Sequence, residues 1–261
     1  MSVLARFRVL AVVSAIVAAA VPAFSGSGGA IASRPETGAP SIVIGFVGGF
    51  VSHDSTKHGP VRLAEQLRRD VPKEASHVEV FENRRRKEAY KTILRLLDSN
   101  HDGVLSENEK ESARIVLFGH SWGASAVVLL ARELRRAGIP VLLTVQVDSV
   151  AKLGQNDSVI PDNVAEAVNF HQPHGIVHGR AQITAADPSK TQILGNYLVD
   201  YRKDPVSCAE NSWYDRFFTP GHAQSECDPR VWSQIEEMVK QEMMKPRVEP
   251  GVNALALNPQ P

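Results

Sequence analysis

Three strand-length stretches of this chain carry apolar residues at odd and even positions alike: Ser41-Ile-Val-Ile-Gly-Phe-Val47, Arg114-Ile-Val-Leu-Phe118 and Val141 to Val147. A strand with one wet face alternates apolar with polar, whereas a strand covered on both faces does not. Between and around these runs lie helical patterns. Pro60 to Asp70 places Leu63, Ala64 and Leu67 on one side, and Arg84 to Leu97 does the same with Ala89, Ile93, Leu94 and Leu97, following Asn83 as its N-cap. Trp122 to Ala137 reads as a third helix closed by Gly138. A fourth starts at Asp228-Pro229 and spaces Val231, Trp232, Ile235 and Val239 for a core. His77 to Phe81, Val164 to Phe170 and Thr191 to Tyr201 read as further strands. Strand alternating with helix predicts an α/β chain, a mostly parallel sheet with helices on both faces, formed as one domain over residues 41–244.

The second apolar run leads into Gly119-His120-Ser121-Trp122-Gly123 and then directly into a helix. Gly-x-Ser-x-Gly on a strand-to-helix turn is the pattern of a nucleophile elbow. The turn strains the serine backbone, and the two glycines let strand and helix approach closely. On these residues the chain resembles the α/β-hydrolase superfamily, in particular its lipase- and esterase-like members, over roughly residues 41 to 243. The resemblance implies an α/β-hydrolase fold, a serine nucleophile at Ser121, and acid and base following it in the order Asp or Glu, then His.

His222, in Phe218-Thr-Pro-Gly-His222, is the one histidine after the last predicted strand and is the expected base, on a loop. His171, His174 and His178 are its rivals. Asp148 ends the strand after the elbow helix and is the expected acid, ahead of Asp187 and Asp200; as a plain alternative, it caps the turn that follows. Two backbone N–H groups must hold the oxyanion. The resemblance assigns one to Trp122 and the other to the glycine-rich turn after the first strand, at Gly49 or Phe50. His53 and Asp54 lie beside that turn.

A second pattern sits inside the first. Asp98-Ser-Asn100-His-Asp102-Gly103-Val104-Leu105-Ser106-Glu-Asn-Glu109 carries the ligand types of an EF-hand loop at each constrained position. Side-chain oxygens fall at positions one, three and five (Asp98, Asn100, Asp102). Gly103 supplies the sharp turn, Val104 a carbonyl, Ser106 a water-mediated contact and Glu109 a bidentate carboxylate. The expected cofactor is one Ca2+, serving as a brace. No partner loop accompanies it, so the pattern resembles solitary extracellular calcium loops.

Arg6 and Arg8 followed by the apolar run Val9 to Val21 read as a secretory leader, which makes residues 1–32 a signal peptide and the start of a linker. Cleavage is expected after Ala23 or Ala32, the linker continues over 33–40, and 245–261 is expected to be a disordered tail. Export to a secreted or periplasmic location lets Cys208 and Cys227 form a disulfide worth about 3 kcal/mol. Lys plus Arg and Asp plus Glu both number 29, so there is no overall positive field to gather nucleic acid. No second hydrophobic stretch is long enough to span a membrane. The reading is therefore an exported serine hydrolase that cleaves a small-molecule or lipid ester through an acyl-enzyme. Its alternatives are a thioesterase or amidase on the same triad, and a non-catalytic calcium-dependent binding protein on a hydrolase scaffold.

Overall fold

The structure is a computed structural model that describes residues 40–208 and 219–245. The expected leader (1–32), the linker up to residue 39 and the tail from 246 lie outside the described residues. The elements run β1 (Ser41–Val47), α1 (Gly59–Asp70), β2 (Ser76–Glu82), a 3-10 turn (Asn83–Arg85), α2 (Arg86–Leu97), α3 (Glu107–Glu111), β3 (Ile115–His120), α4 (Trp122–Arg136) and β4 (Val141–Val147). They continue with β5 (Val159–Ile160), β6 (Val164–His171), β7 (Thr184–Ala185), β8 (Gln192–Leu198), α5 (Pro220–Cys227) and α6 (Pro229–Met244).

Six strands form one sheet in the order β2-β1-β3-β4-β6-β8, and every neighbouring pair is parallel. The fold is α/β, as the uninterrupted apolar runs predict. Along β1, Ile42, Ile44 and Phe46 pack with Ala89, Ile93 and Leu97 of α2 and with Val127, Leu130 and Leu134 of α4. Val43 and Val47 point the other way, into a second core with Leu63 and Leu67 of α1 and Val231, Ile235 and Val239 of α6. Each fully buried aliphatic side chain contributes about 1.5–3 kcal/mol, and here both strand faces collect it. β8 is the edge strand opposite β2 and is exposed or half-buried throughout, which its more polar sequence matches.

The structure corrects four local expectations. Asn83 caps no helix: it opens the 3-10 turn, and the N-cap of α2 is Arg85. The last strand spans 192–198 rather than 191–201. His222 sits in the helix α5, not in a loop. β5 and β7 form a separate two-stranded parallel pair that the sequence reading did not include. The disulfide between Cys208 and Cys227 is formed, with Cα atoms 5.9 Å apart, and fixes the end of α5 to the stretch after β8. No helix among the described residues is long and apolar enough to cross a membrane.

Candidate active site

Ser121 stands between the last residue of β3 and the first of α4, at φ 57° and ψ −126°. An L-residue held there costs of the order of 1–3 kcal/mol, so the surroundings must impose it. They do so through contacts on three sides. Ser121 N–H donates to the Val147 carbonyl at 3.0 Å, which ties the turn to the end of β4. A Cβ on Gly119 would come within 2.6 Å of the Gly123 backbone, and one on Gly123 would run into the Phe46 carbonyl. A Cβ on Gly48, after β1, would lie 2.8 Å from Ser121 Cβ. Strand, helix and the β1 turn thus close on the serine, and only hydrogen fits at these positions.

His222 and Asp148 meet the serine from two other elements. Ser121 Oγ lies 2.9 Å from His222 Nε2, and His222 Nδ1 lies 2.6 Å from Asp148 Oδ2. The Asp148 carboxylate only accepts, so Nδ1 carries the proton and Nε2 is left free to accept from the serine hydroxyl. Asp148 is fully buried, at φ 44°. It also accepts from Gly179 N–H at 2.6 Å, from Gln172 N–H at 3.3 Å and from Gln172 Nε2 at 3.1 Å. Burial opposes its charge, but the hydrogen bonds from His222 and Gln172 outweigh burial and hold the carboxyl below its ordinary value. Burial lowers the pKa of His222 below the ordinary 6.5 despite the pull of Asp148. Near neutral pH the ring is therefore a free base.

The rival residues lie elsewhere. His174 pairs with Asp200 at 3.0 Å, His178 faces the Gly175 carbonyl at 3.0 Å, and Asp187 binds Ser189 in its own turn. Burial lowers the pKa of His171, with Asp148 opposing. His53 pairs with Glu82 at 2.9 Å.

Trp122 is the first residue of α4, where backbone N–H groups have no acceptor within the helix. Gly49 takes φ +46°, and the exposed Phe50 ring meets Trp122 edge to face at 5.6 Å. Asn83, which is buried, donates to the Gly49 carbonyl at 2.6 Å and accepts from Lys152 Nζ at 2.7 Å. Lys152 Nζ also lies 4.9 Å above the Trp122 ring. A peptide unit is planar and trans, so anchoring the Gly49 carbonyl also fixes the Phe50 N–H, on the side away from Asn83. Sequence reasoning missed Asn83, Lys152, Gln172 and Gly179 as parts of this site. All four act through side chains or amides that the fold brings together across 24 to 69 residues.

The loop 98–109 binds its side-chain oxygens to its own backbone amides. Asp98 accepts from Asp102 N–H and Gly103 N–H, Asn100 Oδ1 from Asp102 N–H, and Asp102 from Val104 N–H, at 2.7–3.2 Å. Gly103 takes φ +83° and His101 φ 61°. Ser106 and Glu109 form a capping box on α3, and Leu105 packs against the core. Hydrogen bonds from Ser106 and Ser99 draw the Glu109 pKa down to about 2. Among the described residues, no three His, Cys, Asp or Glu side chains converge as a metal cluster.

No protein-family model matches the chain, and no curated protein is similar to it in sequence. Among solved structures it is similar to a thermostable esterase from Pseudomonas putida ECU1011, at 12% identity over 83% of this chain and 77% of that one, with a TM-score of 0.41. It is also similar to a dienelactone hydrolase from Anabaena variabilis ATCC 29413, at 12% identity over 79% and 87% of the two chains, with a TM-score of 0.36. An arylesterase is similar at 10% identity over 77% and 75%, with a TM-score of 0.41. What this chain does is read from its own side chains.

Proposed function

We propose that the chain is a serine hydrolase of the α/β-hydrolase kind, cleaving an ester-type bond of a small-molecule or lipid substrate. The observation that carries this reading is the unbroken line from Asp148 through His222 to Ser121 Oγ, on a serine held at positive φ. Ser121 Oγ attacks the ester carbonyl carbon while His222 Nε2 takes its proton. The amides of Trp122 and Phe50 are the donors for the oxyanion, Phe50 being favoured over Gly49 because Asn83 fixes the Gly49–Phe50 peptide. The bond to the leaving alcohol then breaks as His222 returns the proton to its oxygen. Water repeats the sequence on the acyl-enzyme, releasing the acid and restoring Ser121.

The loop 98–109 is proposed to hold one Ca2+ through Asp98, Asn100, Asp102, the Val104 carbonyl, Ser106 and Glu109. Its left-handed turns at His101 and Gly103 fit this use, while Glu109 would exchange its bonds from Ser99 and Ser106 for the ion. Bound there, Ca2+ would neutralise the carboxylates of the loop. The apolar leader pattern and the disulfide support export.

The test is labelling of the mature protein with a fluorophosphonate, followed by peptide mass mapping. A single adduct on Ser121, absent from the His222→Ala variant, is the expected result. A folded protein that takes up no label would overturn the reading in favour of a binding protein on this scaffold. Profiling ester, thioester and amide substrates then ranks the esterase reading against its two catalytic alternatives.

A further inference from the structure

The triad leaves a second set of buried titratable groups unused. His120, the residue before the nucleophile, is 3% exposed. Its ring lies against that of His222, with centroids 4.6 Å apart and planes tilted by 32°. His120 Nε2 is 3.1 Å from Ser225 Oγ, and that hydroxyl donates to the His222 carbonyl at 2.8 Å. A hydroxyl has one proton and a carbonyl only accepts, so His120 Nε2–H must donate to Ser225. The other ring nitrogen, Nδ1, is buried without a hydrogen bond and faces Glu226 Oε1 at 3.5 Å. That same oxygen is 2.7 Å from His58 Nδ1.

Glu226 is 9% exposed. Burial works against its ionisation, but the His120 and His58 rings outweigh it and hold the carboxyl well below the usual carboxylate range. With Nε2 already protonated, a bare lone pair on His120 Nδ1 would face this carboxylate, and a proton there turns repulsion into attraction. These surroundings therefore favour the imidazolium form of His120. Burial resists that charge, and Glu226 and Asp148 overcome it. The charged and titratable groups around His120 are Glu226 and His222 on α5, Asp148 after β4 and, across Glu226, His58 ahead of α1.

We propose that His58, Glu226 and His120 form a buried charge chain that holds a cation against His222, making His222 a base in more acidic solution than its pairing with Asp148 alone would allow. Asp148 favours a proton on His222, and a cation stacked 4.6 Å away opposes it. His120 touches no reacting atom; it is a positioning residue that acts through His222. The catalytic consequence rests on the hydrolase reading above, while the titration of His222 does not.

The experiment is a pH titration of the full chain by histidine-selective NMR, in the wild type and in the His120→Gln and Glu226→Gln variants. In the wild type, the His120 midpoint is expected above the ordinary 6.5 and the His222 midpoint below it. His120→Gln keeps a donor for Ser225 but removes the charge, and should raise the His222 midpoint by about 1 pH unit. The acid limb of kcat/KM for an ester substrate should move by the same amount, with the alkaline plateau kept within about threefold. Glu226→Gln should lower the His120 midpoint and raise that of His222 by less, since it removes an anion together with the cation.

If His120→Gln does not fold, Glu226→Gln carries the same test from the other side. A His222 midpoint that moves by less than about 0.3 unit in a folded variant, or a wild-type His120 that is neutral at pH 6, overturns the proposal. A shifted midpoint in a protein that hydrolyses nothing sinks the hydrolase reading and leaves the charge chain standing. Ester hydrolysis with an unmoved midpoint does the reverse.

Discussion

The two polar clusters of this molecule are built in opposite ways. The Ser121–His222–Asp148 line joins residues 101 and 74 positions apart, and each member is brought there by a different element of the sheet and its helices. The loop 98–109 satisfies its carboxylates from within twelve successive residues and is largely exposed. A site made of long-range contacts exists only when the whole sheet exists, so its geometry is a direct product of the core. A site made of local turns is shaped by its own backbone and is coupled to the rest through Leu105 and the capping box of α3. Damage to the first should appear in chemistry, and damage to the second in stability.

Asp148→Asn should show the contrast most strongly. It loses the acceptor that fixes the His222 tautomer, and kcat/KM should fall by roughly 10³–10⁴-fold. The new NH2 then also faces Gln172 Nε2, which now donates to Asp148 Oδ2, at a cost of about 1–3 kcal/mol. Steady-state kinetics and urea denaturation on the same preparation separate the two effects. A loss below about tenfold in activity would remove Asp148 from the triad.

Two glycines sharpen the comparison at smaller scale. At Gly123 an added Cβ meets the Phe46 carbonyl, backbone against backbone, so α4 or β1 must shift. Gly123→Ala should cost about 1–3 kcal/mol and slow fluorophosphonate labelling, because the elbow moves with the helix. At Gly103 nothing lies within 4 Å of the added atom, and the strain comes only from φ +83°. Gly103→Ala should cost about 1 kcal/mol and leave the labelling rate unchanged at a temperature where both proteins are folded. Equal loss of labelling in the two variants would erase the distinction between the clusters.

The same contrast explains what could be read before the fold was known. β1 and β4 begin and end where their runs do, because burial on both faces keeps each run largely apolar from end to end. Ser121, Asp148 and His222 were legible because the turn chemistry and the chain order of the elbow are local or sequential features. Asn83 was misread because an Asn between a strand and a helix is an ordinary N-cap. In the fold its side chain reaches 34 positions back to Gly49, a contact with no local signature. The helix α5 escaped because Pro-Gly-His-Ala-Gln-Ser-Glu-Cys has no apolar stripe; the disulfide and the following Asp228 cap help to hold it in place. Glu226 meets His58 across 168 positions, and no periodicity or spacing announces such a pair.

Calcium is expected to give the smallest effect and the closest test of whether the clusters are independent. A ligand that binds only the folded chain stabilises it by RT ln(1 + [L]/Kd). Solitary extracellular loops bind at about 10⁻⁴–10⁻³ M, so about 10 mM Ca2+ should contribute about 1.5–3 kcal/mol. For a chain of this size that is roughly 3–10 °C in the thermal midpoint, lost in chelator and in Glu109→Gln. The labelling rate of Ser121 at 20 °C should change by less than about twofold, since the ion touches none of the triad's hydrogen bonds. The loop does, however, lead through α3 and residues 112–114 into β3, the strand that ends beside Ser121. If chelator stopped labelling while the protein stayed folded, β3 would be the connection, and the calcium loop would control the elbow rather than only brace it.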